Sequence, residues 1–462
     1  MKVMKFGGSS VKDAEKIQHV SDIARRAASS EPVVLVFSAM KGITDMLIDA
    51  ATSAEKGDPA YRRLVEEIKT RQKEAIAALF GNDTAETIEK EIGTLLDELS
   101  DILHGVELVR ECSVRTMDMI MSFGERINCR LIASYLSASG TPAQYVDARS
   151  MIVTDSSHGN AKVDFEASYP LIRQTLSKVE GIAVVTGFIA RTEKGVTTTL
   201  GRNGSDYTAS LVGAAIDADR VEIWTDVDGV LSADPRLVPT AFVLPEISLE
   251  DAMELSYFGA EVIHPYTMLP AVDKNISIYI KNTLNPDVPG TRIAAGAKGG
   301  SAPITGIASI ENVALINIEG GGMLGHPGVA SRVFSALAHA KVNIIMISQA
   351  SSEHSICMVC REKEAALAVA ALKTELAEEL RYRMIQSIEL VNELEIIAVV
   401  GENMRGTPGI SGRLFSALGR ANINVLAIAQ GSSERNISFV IHQESRSAAL
   451  NAVHKAFLEE AQ

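Results

Sequence analysis

The chain has 462 residues, 46% of them hydrophobic, which is too long for one ordinary domain and enough to bury two or three cores. Its formal net charge of −14 disfavours nucleic acid or an anionic membrane as partner, and no apolar run approaches the ~20 residues of a membrane span. Four cysteines in this length fit a reducing, cytoplasmic compartment without a disulfide framework, and Lys2, Val3 and Met4 lead straight into a strand rather than a signal peptide.

Met1 to Phe6 alternates in the manner of a strand, and "KFGGSSV" (5–11) follows it directly. From Val11 onward the pattern is helical, with Val11, Ile17, Val20 and Ile23 apolar. Glycines at such a junction let the backbone turn tightly and approach a ligand. Ser9 or Ser10 is the expected helix cap, and free N–H groups beside Lys5 suit a phosphate. The plain alternative is a tight turn with a surface lysine. A second buried strand, "PVVLVF" (32–37), runs into "SAMKGITD" at Ser38. Residues 49–112 carry no strand signal and read as an inserted helical subdomain. "SFGERINC" then places Glu125 and Arg126 at a helix start. Further apolar runs, "IAVVTGF" (182–188), "VEIWTD" (221–226) and "ISIYIK" (276–281), alternate with helical stretches, as in an α/β sheet covered on both faces.

Polar residues cluster where those strands end. "TTLGRNGSDYTAS" sets Arg202, Ser205 and Asp206 around two glycines before a helix, and "WTDVDGVLSADPR" sets Thr225, Asp226 and Arg236 after a strand. Open α/β sheets bind ligands at this edge. Each residue alone has a plain reading as a cap, a turn or a surface ion pair; together they favour phosphoryl transfer. "TDVDG" is not a calcium loop, because Leu231 and Leu237 replace the required glycine and glutamate. No P-loop or protein-kinase signature is present.

The small-residue stretch Pro289–Pro303 is the expected linker, dividing the chain into 1–292 and 304–462. Beyond it lies a repeat, in which Met323 matches Met404, Ser335 matches Ser416 and Gln349 matches Gln430 at constant spacing. Each copy, about 313–385 and 394–462, reads as a ferredoxin-like βαββαβ unit, with interleaving of the two left open. In the first copy's helix Val329, Val333, Ala336 and Ala340 make one apolar face. "GGGMLG" (320–325) fits a dinucleotide turn but is rejected, since the second copy lacks the middle glycine. Cys357 and Cys360 form a C-x-x-C within a strand, so they face opposite sides and read as structural.

"KFGGSS", "SAMKGIT", "FGER", "TGFIA", "TTTLGRNGSDYTA", "IWTDVDGV", "DPR" and "ELSYFGAEVIHP" resemble the signature set of the aspartate kinases. The resemblance covers nearly the whole chain. The repeats look like that family's paired ACT domains, and "AIAQGSSERNIS" is similar to the regulatory part of the bifunctional aspartokinase–homoserine dehydrogenases. The sequence runs to Gln462, and the dehydrogenase half is expected to be absent. The implied fold is an α/β amino-acid-kinase sandwich with a mainly parallel sheet, followed by two ferredoxin-like ACT domains. The implied reaction is ATP-dependent phosphorylation of L-aspartate to 4-phospho-L-aspartate, the first step of lysine, threonine and methionine biosynthesis, under feedback through the ACT domains.

The chemistry suits that substrate. Arg202 can hold an α-carboxylate in bidentate fashion, and Glu125 can take the α-ammonium. By resemblance Ser38, Thr44, Phe188 and Ser205 complete the pocket. Lys5 would stabilise the transferred phosphoryl, the amides of Gly7, Gly8 and Ser9 would cradle phosphate, and Asp206 would organise Lys5. Thr225, Asp226, Leu231, Arg236 and Glu261 are the expected nucleotide contacts. Leu231 stands where the family often has tyrosine, and Glu261 where many members have the lysine of "GAK". ATP is expected with Mg²⁺. Gln349 and Gln430 match positions associated with threonine sensing, so threonine or lysine is the expected effector, in a homodimer or homotetramer. Two alternatives stay open: a kinase for glutamate or acetylglutamate, and a regulatory subunit with an inactive kinase domain.

Overall fold

Alternation along the first strand decides which way its one internal lysine points. The computed structural model describes residues 1–259, 265–297, 300, 302–321, 328–349 and 354–459. They form two compact units, Met1–Val230 with Val262–Ala297, and Leu231–Glu261 with Lys298–Gln462. Glu261, Met323 and residues 322–325 of "GGGMLG" lie outside the described residues.

In the first unit β1 (Lys2–Phe6) buries Met4 and Phe6 among helices, with the Phe6 ring stacked on Phe37 and Trp224 at 5.3 and 5.7 Å. A 3-10 turn over Gly8–Val11 follows, and α1 (Ala14–Ala28) starts only after Asp13, whose side chain accepts from Lys16 N. The helix thus begins later than Val11, and its cap is Asp13 rather than Ser9 or Ser10. Ser10 Oγ instead meets Thr283 Oγ1 at 3.1 Å. β2 (Val33–Phe37) is buried throughout. The helical insertion is α2 (Ile43–Lys56), α3 (Ala60–Leu79), α4 (Asn82–Val109) and the start of α5 (Val114–Ala138).

Glu125 and Arg126 lie in the middle of α5, which is capped by Ser113, and not at a helix start. The glycine before them misled the reading. Gly124 does not open the helix; a Cβ there would stand 2.8 Å from Ala39 Cβ, so its absence lets α5 press onto the loop after β2.

The chain continues through β3 (Ala143–Val146), β4 (Val153–Thr154), α6 (Phe165–Leu176), β5 (Ile182–Thr186), β6 (Ile189–Thr192), β7 (Thr197–Thr199), α7 (Gly204–Ala215) and β8 (Arg220–Thr225). β9 (Glu246–Ser248) and α8 (Leu249–Tyr257) follow in the segment that groups with the second unit. α9 (Pro265–Asp273), β10 (Ser277–Asn282) and β11 (Thr291–Ala294) return to the first. Its main sheet runs β3-β5-β2-β1-β8-β10-β11, parallel except for β11. The stretch expected as linker therefore begins with a paired strand, in which Thr291 and Ile293 are fully buried. On the sheet face opposite Phe6, α7 packs closely: a Cβ on Gly213 would lie 2.6 Å from Val221 Cγ2. Lys5 points to that face.

In the second unit the elements are β12 (Gly306–Glu319), α10 (Val329–His339), β13 (Ile344–Gln349), β14 (Ser355–Arg361), α11 (Glu362–Glu375), α12 (Ala377–Arg381), β15 (Ser387–Val400), α13 (Ile410–Arg420), β16 (Ala427–Gln430), β17 (Asn436–His442) and α14 (Arg446–His454). The sheet runs β13-β14-β12-β15-β17-β16, antiparallel throughout. β12 and β15 pair twice. Val313–Glu319 pairs with the start of β15, and Gly306–Ile310 pairs with its end. The first repeat thus takes its last strand from the start of β15, and the second takes its last strand from the start of β12. In β14, Ile356, Met358 and Cys360 enter the core while Cys357 faces the other way, its Sγ 3.0 Å from Asn317 Oδ1. Among the described residues no helix is long and apolar enough to cross a membrane.

Candidate active site

Lys5 is carried on a central strand with its side chain only 12% exposed, so its charge needs a partner. Asp206 supplies it: Oδ1 stands 2.5 Å from Lys5 Nζ. Asp206 lies in the first turn of α7, where a carboxylate also meets the positive end of the helix. The turn before it is tight, with Gly201 and Asn203 left-handed at φ 76° and 55°.

Neighbouring loops close in because glycines leave room. A Cβ on Gly8 would sit 2.8 Å from Ala39 O, and Gly8 O accepts from Lys41 N at 3.1 Å. A Cβ on Gly204 would meet the Phe188 ring at 2.8 Å. Phe188 itself is held at φ 68°, its N–H donating to Thr208 Oγ1 and its carbonyl accepting from Leu200 N. The result is one cavity of about 320 Å³. Lys5 enters it from β1, Gly7 and Gly8 from the turn that follows, Ser38 from the loop after β2 and Thr44 from the first turn of α2. Glu125 enters from α5, and Phe188, Arg202, Ser205 and Asp206 complete the lining. Ser9 is half-buried in the same turn but does not line it.

Glu125 is the most constrained of these groups. It is 3% exposed; Oε1 accepts from Ala39 N at 3.1 Å, and Oε2 has no hydrogen-bond partner. Burial pushes its carboxyl up to about 8, with the Ala39 hydrogen bond opposing. Arg202, by contrast, is exposed at the rim. A cation inside the cleft would restore the missing partner of Glu125, while Lys5 and Arg202 offer positive charge to anions. The cleft thus sets one buried carboxyl against two basic side chains.

The remaining expected residues are not among those that line this cavity. Thr225 ends β8 and Asp226 follows it, and Thr225 Oγ1 donates to Asp226 Oδ1 at 3.2 Å. Leu231 and Arg236 belong to the second unit, where they line a different cavity of about 550 Å³ and Arg236 pairs with Asp234 at 2.7 Å. Gln349 and Gln430 end β13 and β16 and are exposed. Ser348 Oγ donates to Ile428 O at 2.9 Å, so those two strands approach although they bound the sheet.

Three residues that position the site escaped the sequence reading. Asn128 Nδ2 donates to Ser38 O at 2.6 Å. Thr283 Oγ1 donates to Thr225 O at 2.7 Å and meets Ser10, tying the loops after β1, β8 and β10. Asp118, fully buried, sits on α5 below Glu125. Asn128 and Asp118 share the helical period of Glu125, a signal visible once Glu125 is placed mid-helix; Thr283 carries none.

The model of the amino acid kinase family matches residues 1–282, and that of the ACT domain matches 316–376 and 397–457. Bifunctional aspartokinase/homoserine dehydrogenase 1, chloroplastic, of Zea mays is 38% identical over 461 residues, 98% of this chain and 50% of the relative. The chain spans about half the length of the bifunctional relatives it matches. Aspartokinase 2, chloroplastic, of Arabidopsis thaliana is 34% identical over 470 residues, covering 99% of this chain and 84% of the relative. Crystal structures of E. coli aspartokinase III cover 99% of both chains. The complex with lysine and aspartate (T-state) gives a TM-score of 0.82 at 30% identity, and that with aspartate and ADP (R-state) 0.79 at 29%.

The raised Glu125 carboxyl makes a stability prediction. A carboxyl held up to about 8 in the folded chain contributes stability that is complete below the unfolded value and is lost as pH rises to about 8. Glu125→Gln removes that dependence. Thermal melts of the ligand-free protein from about pH 5 to about pH 9 should show the variant gaining on the parent up to about pH 8 and levelling off beyond. A gap independent of pH would refute the burial argument.

Proposed function

The chain belongs to the amino acid kinase family, as an aspartokinase, and from that premise we propose that it transfers the γ-phosphoryl of ATP to the side-chain carboxylate of L-aspartate. One observation carries the reading: Glu125, a buried carboxyl with one oxygen unpartnered, lines the same small cavity as Lys5 and Arg202.

In this reading Glu125 takes the α-ammonium and Arg202 the α-carboxylate, so the substrate is gripped by its amino-acid end and presents its side chain toward Lys5. That side chain, with a free pKa of about 3.9, is already ionised at neutral pH. No general base is required, and the protein's task is alignment and charge neutralisation. Lys5 neutralises charge on the phosphoryl oxygens. Asp206, at 2.5 Å, keeps the ammonium aimed and is too committed to that pair to act as a base. The Gly8 and Ser9 amides cradle phosphate, the Gly7 N–H being taken by Trp224 O at 3.4 Å, with Thr225 and Asp226 on the nucleotide side. Mg²⁺ would arrive as part of the MgATP substrate and neutralise charge on its phosphates.

The ACT repeats make an amino acid, threonine or lysine, the expected effector. Gln349 and Gln430 end two strands that approach one another, which suits one effector pocket built from both repeats. Ile347 and Ile428 are 48% and 43% exposed on those strands, an apolar edge suited to pairing with a second copy.

Hydroxamate trapping of the acyl phosphate tests the reaction. Product should form with aspartate and not with glutamate or acetylglutamate. Lys5→Ala should lower kcat about 10²–10³-fold, and Arg202→Ala should raise KM for aspartate about tenfold or more. Aspartate-independent turnover, or none, would defeat the proposal. For regulation, Gln349→Ala or Gln430→Ala should raise the concentration of threonine or lysine giving half-inhibition by at least about fivefold; indifference of the unaltered protein to both amino acids would remove the effector reading. Light scattering should give at least twice the chain mass, and a monomer would remove the dimer.

A further inference from the structure

Two turns before Glu125 on the same face of α5 stands Asp118, a carboxylate with no exposed surface. Its ligands come from two other segments. Oδ1 accepts from Thr199 Oγ1 at 2.6 Å and, with Oδ2, from Gly159 N at 3.1 Å, while His158 Nδ1 stands 2.8 Å from Oδ2. A buried carboxylate offers only acceptors, so Nδ1 carries the imidazole proton here. Among the described residues no lysine or arginine pairs with Asp118. Its charge is spread over donors from the 158–159 turn and the end of β7.

Those segments support Arg202. Thr199 is the last residue of β7, three positions before Arg202. Ala161 N donates to Thr199 O at 3.0 Å, joining the two segments directly. Gly201, at φ 76°, lies so close to the 158–161 turn that a Cβ would stand 2.5 Å from Asn160 Oδ1. The turn bearing Arg202 is thus held from beneath through Thr199 and from the side through Asn160, and one carboxylate anchors both supports.

We propose that Asp118, with His158, is a positioning residue for Arg202, so that helix α5 fixes both ends of the amino-acid grip: Glu125 directly and Arg202 through the Asp118 anchor. This rests on the aspartokinase reading of the cleft. Because one rigid helix sets the spacing of the two charges, the anchor governs recognition of the α-amino-acid end and leaves the phosphoryl chemistry at Lys5 untouched.

The test uses the full chain in the hydroxamate assay. Asp118→Asn keeps the shape and loses the charge. KM for aspartate should rise about tenfold, with KM for ATP unchanged and kcat held within about twofold. Added to Arg202→Ala, the same change should raise KM by less than about twofold further, because the two act as one unit. Thr199→Val, which deletes a single donor, should show the same pattern at smaller size, and Thr199→Ser should restore the parent value. If Asp118→Asn does not fold, the Thr199 pair decides. An unchanged KM for aspartate in a folded variant, a parallel rise in both KM values, or multiplying effects with Arg202→Ala would overturn the proposal. Failure of the unaltered protein to phosphorylate aspartate would instead sink the functional reading on which it stands.

Discussion

A lysine on a central parallel strand is the fact around which the first unit is arranged. Strand alternation sends Met4 and Phe6 to one face and Lys5 to the other, and a nearly buried ammonium is costly unless paired. Asp206 meets it from the first turn of α7, a position where the helix itself favours a carboxylate. The pair requires that β1 and α7 keep a fixed separation. Gly213 supplies the close packing of α7 on the sheet, and Gly204 lets the turn before the helix fold against Phe188. Lys5 is thereby held at the mouth of the sheet with its remaining donors aimed at whatever the loops enclose.

Helix α5 is the second fixed element. It is long, largely buried and free of proline, and it carries Asp118, Glu125 and Asn128 at intervals that keep them on the cleft side. Each does a different physical task. Asn128 holds the carbonyl of Ser38, Asp118 gathers two loops, and Glu125 is left with an oxygen unpaired. A buried, unpaired carboxylate is destabilising in the free protein, and its cost is relieved either by protonation or by the arrival of a cation. Burial is also what pushes the Glu125 carboxyl up to about 8.

The second unit solves a different problem. A βαββα repeat is short of one strand, and two such repeats in tandem would leave two exposed edges. Here β12 and β15 are both long enough to serve each repeat in turn, so the halves of the unit complete one another. Neither repeat is a closed structure without the other. The ends of β13 and β16 thus belong to one shared sheet.

Much of this was written in local pattern. The buried strands 33–37, 182–186, 220–225 and 277–282, the helical insertion, and the repeat all follow from hydrophobic periodicity and self-similarity, which are properties of neighbouring residues. Lys5, Glu125, Arg202, Ser205 and Asp206 stood out by type and by context, whereas Ser38, Thr44 and Phe188 were expected in the pocket by resemblance alone, and all eight line one cavity. What the sequence did not decide were facts that depend on distant segments. Gly124 looked like a helix start because only the approach of Ala39 explains it as a packing glycine. Ser10 looked like a cap because its partner, Thr283, lies far along the chain. The exchange of strands between repeats, the partners of Asp118 and the grouping of Leu231 and Arg236 with the second unit are likewise non-local. Periodicity reports which side of an element is buried; only the folded chain reports what it is buried against.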